Sequence, residues 1–135
     1  MRSLIAAADR DIANYRSLNS TSSRLITQQR NRVRQLNRQL ANNEISAEGY
    51  RTRLASARNN VRSLDSGIAD ISKQIEVMSS DRDAIRASGK STGGLSGRIS
   101  ALQSERRTLE SRRRALASVY DEVPDSVGAY DLRRT

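Results

Sequence analysis

The chain has 135 residues, with 24 basic against 15 acidic side chains and a net charge of +9 at neutral pH. It contains no cysteine and no histidine, so it can form no disulfide, no thiolate or imidazole metal site, and no Ser-His-Asp or Cys-His catalytic arrangement. Tryptophan and phenylalanine are also absent. We therefore expect no enzyme: no catalytic, cofactor-binding or metal-binding residues, no cofactor and no small-molecule substrate.

The longest uninterrupted apolar run, residues 4–8, is far shorter than the roughly 20 residues that cross a bilayer. It is also too short for the apolar core of a signal peptide. We expect a protein made in soluble form, with no membrane contact.

Near the N-terminus, apolar residues recur every seven positions, from Ile5 and Ile12 to Val33 and Leu40. A second series three residues later completes the a/d pattern of a coiled coil. No glycine or proline interrupts this segment, so the pattern predicts one helix over about residues 2–42.

Three core positions of this first helix are polar: Asn19, Ser22 and Gln29. Buried polar side chains at such positions can specify the register or the oligomeric state of a coiled coil. The alternative is that this face of the helix is solvated.

Asn42 and Asn43 end the first pattern, since asparagine tolerates the left-handed conformation that terminates helices. Ser46 is a suitable N-cap, and Glu48 follows in the first turn, where the helix dipole favours an acid. A second heptad pattern then predicts a helix over about residues 46–88.

The first two predicted helices have similar lengths and are joined by a tight turn, which indicates an antiparallel hairpin. One continuous rod is the alternative. The expected helix-packing or oligomer stripe consists of Leu36, Leu40, Leu54, Val61, Leu64, Ile68, Ile71 and Ile75.

Four glycines within residues 89–97 mark a loop, and leucines spaced seven apart predict a third helix over about 96–121. Pro124 ends the regular pattern, so residues 124–135 form an extended or mobile tail. The alternative is an arm that docks on a neighbour through Val127, Tyr130 and Leu132.

Residues 88–92 match the last part of a P-loop. The full motif needs a glycine five residues before Gly89, where this chain has Ala84. A P-loop also follows a strand, and here a predicted helix precedes the motif. We expect a helix end and a turn rather than a nucleotide site.

These elements predict an all-α fold: a single domain over residues 1–123 in which a shorter third helix packs on a long coiled-coil hairpin as an elongated bundle. The third helix is too short to cover the stripe near the turn between helices 1 and 2. We therefore expect self-association or a fixed place in a larger assembly. A stable monomer is the alternative.

The positive charge is unevenly distributed, since residues 1–62 carry 12 arginines against four acids. Folding the hairpin gathers most of these arginines in the turn half, where only Glu44 and Glu48 offset them. Such a surface attracts polyanions or an acidic protein, and nucleic acid would bind through its phosphates without sequence preference. An arginine-rich codon usage predicts the same excess over lysine. The predicted contact residues are Arg30, Arg32, Arg34, Arg38, Arg51, Arg53, Arg58, Arg62, Arg112 and Arg114.

A small, arginine-rich coiled-coil chain without catalytic residue types is similar to minor structural and assembly proteins of bacteriophage particles. The resemblance implies a structural or adaptor subunit, incorporated into a virion, whose basic end faces packaged DNA or an acidic protein. One alternative is a DNA- or RNA-binding accessory protein. Another is a small helical secretion substrate or chaperone, although the Trp-x-Gly turn of type VII secretion proteins is absent because the chain has no tryptophan.

Overall fold

The computed structural model describes residues 2–128, which form helices and no strands and so confirm the all-α bundle. A single turn of 3-10 helix, the C-terminal turn, follows the last helix at Asp125–Val127. The α-helices are α1 (Arg2–Ala41), α2 (Ala47–Arg53), α3 (Ala57–Ala87) and α4 (Leu95–Asp121).

The helix ends near the first turn have the terminating residue and the N-cap that the sequence predicts. Asn43 adopts a left-handed φ of 58°, and the Glu44 amide donates to the Gln39 carbonyl over 2.8 Å, which closes the end of α1. The Ser46 hydroxyl accepts a hydrogen bond from the Gly49 amide over 3.0 Å and caps α2. The predicted stop and the predicted N-cap are both confirmed.

The helix predicted over 46–88 is two helices, because the chain tightens between Arg53 and Ala57. The Leu54 amide bonds to the Tyr50 and Arg51 carbonyls, and the Ala57 amide bonds to the Leu54 carbonyl over 3.0 Å. This short 3-10-like stretch keeps the side chains of Tyr50, Leu54 and Ala57 buried on the same side of the chain.

The third long helix, α4, packs along both α1 and α3, whereas the α1 and α3 backbones approach each other closely at only a few positions. An ion pair joins Arg98 to Asp9 over 3.1 Å at one end, and Asn37 bonds to the Glu122 carbonyl over 3.1 Å near the other. Helix α4 is therefore parallel to α1, and α3 runs antiparallel to both.

The third helix packs on the hairpin, as predicted, and its backbone approaches those of α1 and α3 more extensively than they approach each other. Helix α4 contacts both hairpin helices, because its apolar row packs against α1 on one side and α3 on the other. Its leucines at seven-residue spacing are completely buried: Leu95, Leu102, Leu109 and Leu116.

The core forms two apolar clusters separated along α1 by a polar layer of Asn19 and Ser22. The Asn19 amide donates to the backbone carbonyl and the carboxylate of Glu105, over 3.2 and 3.1 Å. The Ser22 hydroxyl donates to the Leu18 carbonyl over 2.7 Å. Burial and the cross-helix bonds of Asn19 support the register interpretation of these residues over a solvated face.

Most of the predicted packing stripe is buried within this single chain. Leu40 and Ile68 are half-buried against the cluster at the turn end. The buried members are Leu36, Leu54, Val61, Leu64, Ile71 and Ile75.

Gly67 of α3 packs tightly against α1 and α4 near the polar layer. A Cβ built on Gly67 would lie 2.8 Å from Leu18 Cδ2 and 3.0 Å from Leu109 Cδ2. Glycine is needed here for close packing, although it lies within a helix.

The expectation that the stripe near the turn lacks a third partner is wrong. Val123 and Val127 are buried in the same cluster as Leu36, Leu54 and Ala57. The C-terminal turn covers this end of the bundle, so the packed region extends beyond residue 123. Val127 thus docks on its own chain, while the other two predicted anchors, Tyr130 and Leu132, lie outside the described residues.

Candidate anion-binding surface

The surface of the described residues is polar, because nearly all large apolar side chains are turned inward. Val77 on α3, 47% exposed, is the exposed large apolar side chain within residues 2–128. What this surface can bind is therefore decided by charge and hydrogen bonding.

Cross-helix bonds determine which residues share a level along the bundle. The Tyr120 hydroxyl donates to Gln29 Oε1 over 2.8 Å and accepts from Asn60 Nδ2 over 3.3 Å, so these residues of α4, α1 and α3 lie together. Asp65 and Arg113 form an ion pair of 3.0 Å at the adjacent level. The Asn19–Glu105 bonds lie at the next level towards the start of α1. Residues 17–34, 58–69 and 105–120 thus occupy one section of the bundle.

This section carries most of the protein's charge, and we call it the arginine band. It holds eleven arginines against three acids, and so accounts for +8 of the net +9. The acids are Asp65, Glu105 and Glu110. The arginines are Arg24, Arg30, Arg32, Arg34, Arg58, Arg62, Arg106, Arg107, Arg112, Arg113 and Arg114.

The turn tip beyond the band, residues 37–56 and 121–128, has no excess of positive charge. Its arginines are Arg38, Arg51 and Arg53, against the five acids Glu44, Glu48, Asp121, Glu122 and Asp125. The expectation that only two acids offset the arginines near the turn is wrong, because the end of α4 and the C-terminal turn bring three more acids to this place.

Seven of the ten predicted contact residues lie in the band. Arg30 and Arg112 are half-buried, and the other five are exposed: Arg32, Arg34, Arg58, Arg62 and Arg114. The Nε atom of Arg112 is buried, with no hydrogen-bond partner within residues 2–128. Most of the predicted cluster therefore presents its guanidinium groups to solvent at one level of the bundle.

The other three predicted contact residues lie at the turn tip. Arg51 donates a hydrogen bond from its guanidinium to the Val127 carbonyl and so holds the C-terminal turn. Arg53 lies 3.5 Å from Gln39 Oε1. Arg38 is exposed, one helical turn beyond Arg34.

Four band arginines are not among the ten predicted contact residues: Arg24, Arg106, Arg107 and Arg113. Arg106 pairs with Glu110 over 3.6 Å, and Arg113 pairs with Asp65. Arg24 and Arg107 are exposed. Arg106, Arg107 and Arg113 lie in the middle of α4, and the packing of α4 against α1 and α3 brings them into the band.

Buried tyrosines provide neutral hydrogen-bond donors in this region. Burial, and secondarily the charge of Glu122, raises the pKa of Tyr50 to about 12, and its hydroxyl donates to Asn37 Oδ1 over 2.6 Å. Burial also raises the pKa of Tyr120. Both hydroxyls stay protonated at neutral pH and fasten helices together.

Two features typical of other functional classes are missing from the part of the chain that the structure describes. Within residues 2–128 there is no group of three or more acidic side chains arranged to hold a metal ion. Across the same residues, none of the helices has an apolar stretch of the length that crossing a bilayer requires.

Comparisons with known proteins give no relative. No protein-family model matches the chain, and neither a characterised protein nor a solved structure does. A functional assignment therefore depends on the geometry and charge of this molecule.

Proposed function

We propose that this protein is a non-enzymatic structural or adaptor subunit whose arginine band binds a polyanion, with duplex DNA as the partner. The supporting observation is the concentration of +8 in one section of the bundle, on side chains that are mostly exposed. Such a surface attracts nucleic acid through phosphate contacts. A particle that packages DNA is the kind of assembly that would use this subunit.

The apolar stripe offers little to an assembly contact, because most of it is buried inside the chain. We propose that assembly instead uses the polar surface, with the bundle acting as a rigid support for the band. Self-association stays a prediction, and light scattering tests it: a solution mass equal to the 15.0 kDa chain mass contradicts it.

A salt titration of duplex DNA binding tests the polyanion proposal. One side of the band can contact about four phosphates, which predicts a slope of about −3.6 for log affinity against log salt concentration. Affinity then falls roughly 100-fold between about 50 and 200 mM salt. Absence of binding at low salt refutes DNA as the partner and favours an acidic protein.

Matched variants separate the band from net charge. Arg34→Gln, Arg62→Gln and Arg114→Gln together remove one exposed arginine from each long helix of the band. The control removes the same charge from exposed sites outside the band: Arg10→Gln, Lys73→Gln and Lys90→Gln. The band variant should lose at least tenfold in affinity, and the control much less. Equal losses would show that net charge, not the band, determines binding.

A further inference from the structure

The outer face of α1 differs in composition from the rest of the surface. From residue 12 to residue 43 the chain has no acidic side chain. Between residues 24 and 38, the exposed positions on α1 hold only arginine, glutamine, asparagine and one threonine. This face offers hydrogen bonds and positive charge with no local repulsion of phosphate.

Five of these residues form a regular row, which we call the amide stripe. Their spacing of four, three, four and three residues places them on one face of α1, opposite the buried row that includes Gln29 and Val33. Arg32 and Arg34 flank the row on either side and are exposed. The amide stripe is Arg24, Gln28, Asn31, Gln35 and Arg38, all exposed.

The stripe has the dimensions of a helix face that enters the major groove. Arg24 and Arg38 are separated by about 21 Å along the helix axis at about 1.5 Å per residue. The major groove of B-DNA is about 12 Å wide and admits an α-helix. Arginines at both ends and along both flanks would then lie beside the phosphates of the groove walls.

The amides distinguish DNA from an acidic protein as the partner. Glutamine and asparagine each carry a donor and an acceptor, and base edges in the major groove present both kinds of group. An acidic protein surface presents carboxylate acceptors, which leave the amide oxygens unused. The outward row of α4 includes Arg107 and Arg114 but no amide among its exposed residues, so α1 is the better candidate for groove contact.

We infer that the outer face of α1 from Arg24 to Arg38 docks in the major groove of duplex DNA. The flanking arginines bind phosphates, and Gln28, Asn31 and Gln35 bond to base edges. This inference rests on the proposed function and names the side of the bundle and the groove that it uses. Phosphate contacts still dominate the affinity, so its steep dependence on salt remains.

An amide variant tests the inference at constant charge. Gln28→Ala, Asn31→Ala and Gln35→Ala together keep helix propensity high and leave every arginine in place. Affinity for duplex DNA should fall about tenfold with the salt slope unchanged. The control, Asn14→Ala, Asn59→Ala and Gln74→Ala, removes three amides from outside the stripe and should bind like the original chain. Circular dichroism checks that both variants are folded.

Duplex RNA of the same sequence provides the second arm. Its major groove is too deep and narrow for side chains to reach the bases, while its charge is similar to that of DNA. The chain should bind duplex DNA at least tenfold more tightly than duplex RNA at the same salt concentration.

The outcomes separate the inference from the proposed function. If the amide variant binds DNA like the original chain, or if RNA and DNA bind equally, groove docking by α1 is wrong while salt-dependent binding by the band still stands. If the original chain binds no duplex DNA at low salt, the proposed function itself fails.

Discussion

The Tyr120 hydroxyl joins three helices, and its removal is the sharpest test of the packing. Tyr120 on α4 is completely buried, donates to Gln29 on α1 and accepts from Asn60 on α3. Tyr120→Phe keeps the ring in the core and deletes only the hydroxyl. The perturbation therefore measures the hydrogen bonds rather than a cavity.

The expected cost follows from what the two partners can do without the hydroxyl. Gln29 is 8% exposed, so its Oε1 atom loses its donor in a buried position. A buried group left without a partner costs about 1–3 kcal/mol. Asn60 is half-buried and can bond to water, so it adds little. We expect Tyr120→Phe to lower the free energy of unfolding by about 1–3 kcal/mol.

Thermal unfolding followed by circular dichroism measures this loss. For a chain of this length, about 1–3 kcal/mol corresponds to a decrease in Tm of about 4–10 °C. Tyr15→Phe is the matched control, because Tyr15 is half-buried and has no side-chain hydrogen bond within residues 2–128. That control should change the free energy of unfolding by less than about 0.5 kcal/mol.

A double variant tests whether the cost comes from the unpaired Gln29. Replacing both partners of a buried hydrogen bond with apolar groups is nearly neutral, whereas removing one partner is costly. Tyr120→Phe combined with Gln29→Leu should therefore be more stable than Tyr120→Phe alone. The reasoning is refuted if Tyr120→Phe behaves like Tyr15→Phe, or if the effects of the two substitutions simply add.

Further predictions concern the packing, the C-terminal turn and the pH dependence. Gly67→Ala should lower the free energy of unfolding in a urea titration by about 1–2 kcal/mol, because overpacking outweighs the gain in helix propensity. Gly97→Ala, with open space around its Cβ position, should instead raise it by about 0.5–1 kcal/mol. A loss in both variants contradicts the packing at Gly67. Arg51→Gln should speed hydrogen exchange in the C-terminal turn, whereas Arg53→Gln should not, and equal rates would show that the guanidinium does not hold the turn. Because the pKa of Tyr50 is raised from 10.0 to about 12, its contribution to stability should be complete below pH 10 and fall as the pH rises towards 12. In denaturant titrations, Tyr50→Phe should lose less unfolding free energy between pH 10 and about 12 than the original chain does. An equal loss in both proteins contradicts this prediction.

Local signals predicted the helices and their ends with good accuracy. The heptad rows identified the buried faces, Asn43 and Ser46 marked the first turn, and the glycines of residues 89–97 marked the second. The break after Arg53 was not predicted, because residues 54–56 contain neither glycine nor proline. That break is stabilised by burial of its neighbours rather than by a local sequence signal.

Most of the predicted contact arginines lie in the band. The three that lie outside it were wrongly placed for the same reason. The heptad patterns place charges along each helix but not across helices. From the sequence alone, the segments that carry Arg38, Arg51 and Arg53 have a net positive charge. In the folded chain these arginines lie near the acidic end of α4. Arg51 also forms a hydrogen bond to a residue 76 positions away, which no local pattern reveals.

Sequence patterns were sufficient to establish a helical bundle with one buried face per helix and an excess of arginine. Heptad spacing does this because it reports which side of a helix avoids water. The hydrophobic effect is non-directional, so heptad spacing shows which face of a helix is buried but not which helix covers that face. The extensive packing of α4 against both α1 and α3 became known only from the folded chain. That arrangement concentrates the charge in a middle band and leaves the amide stripe of α1 facing outward.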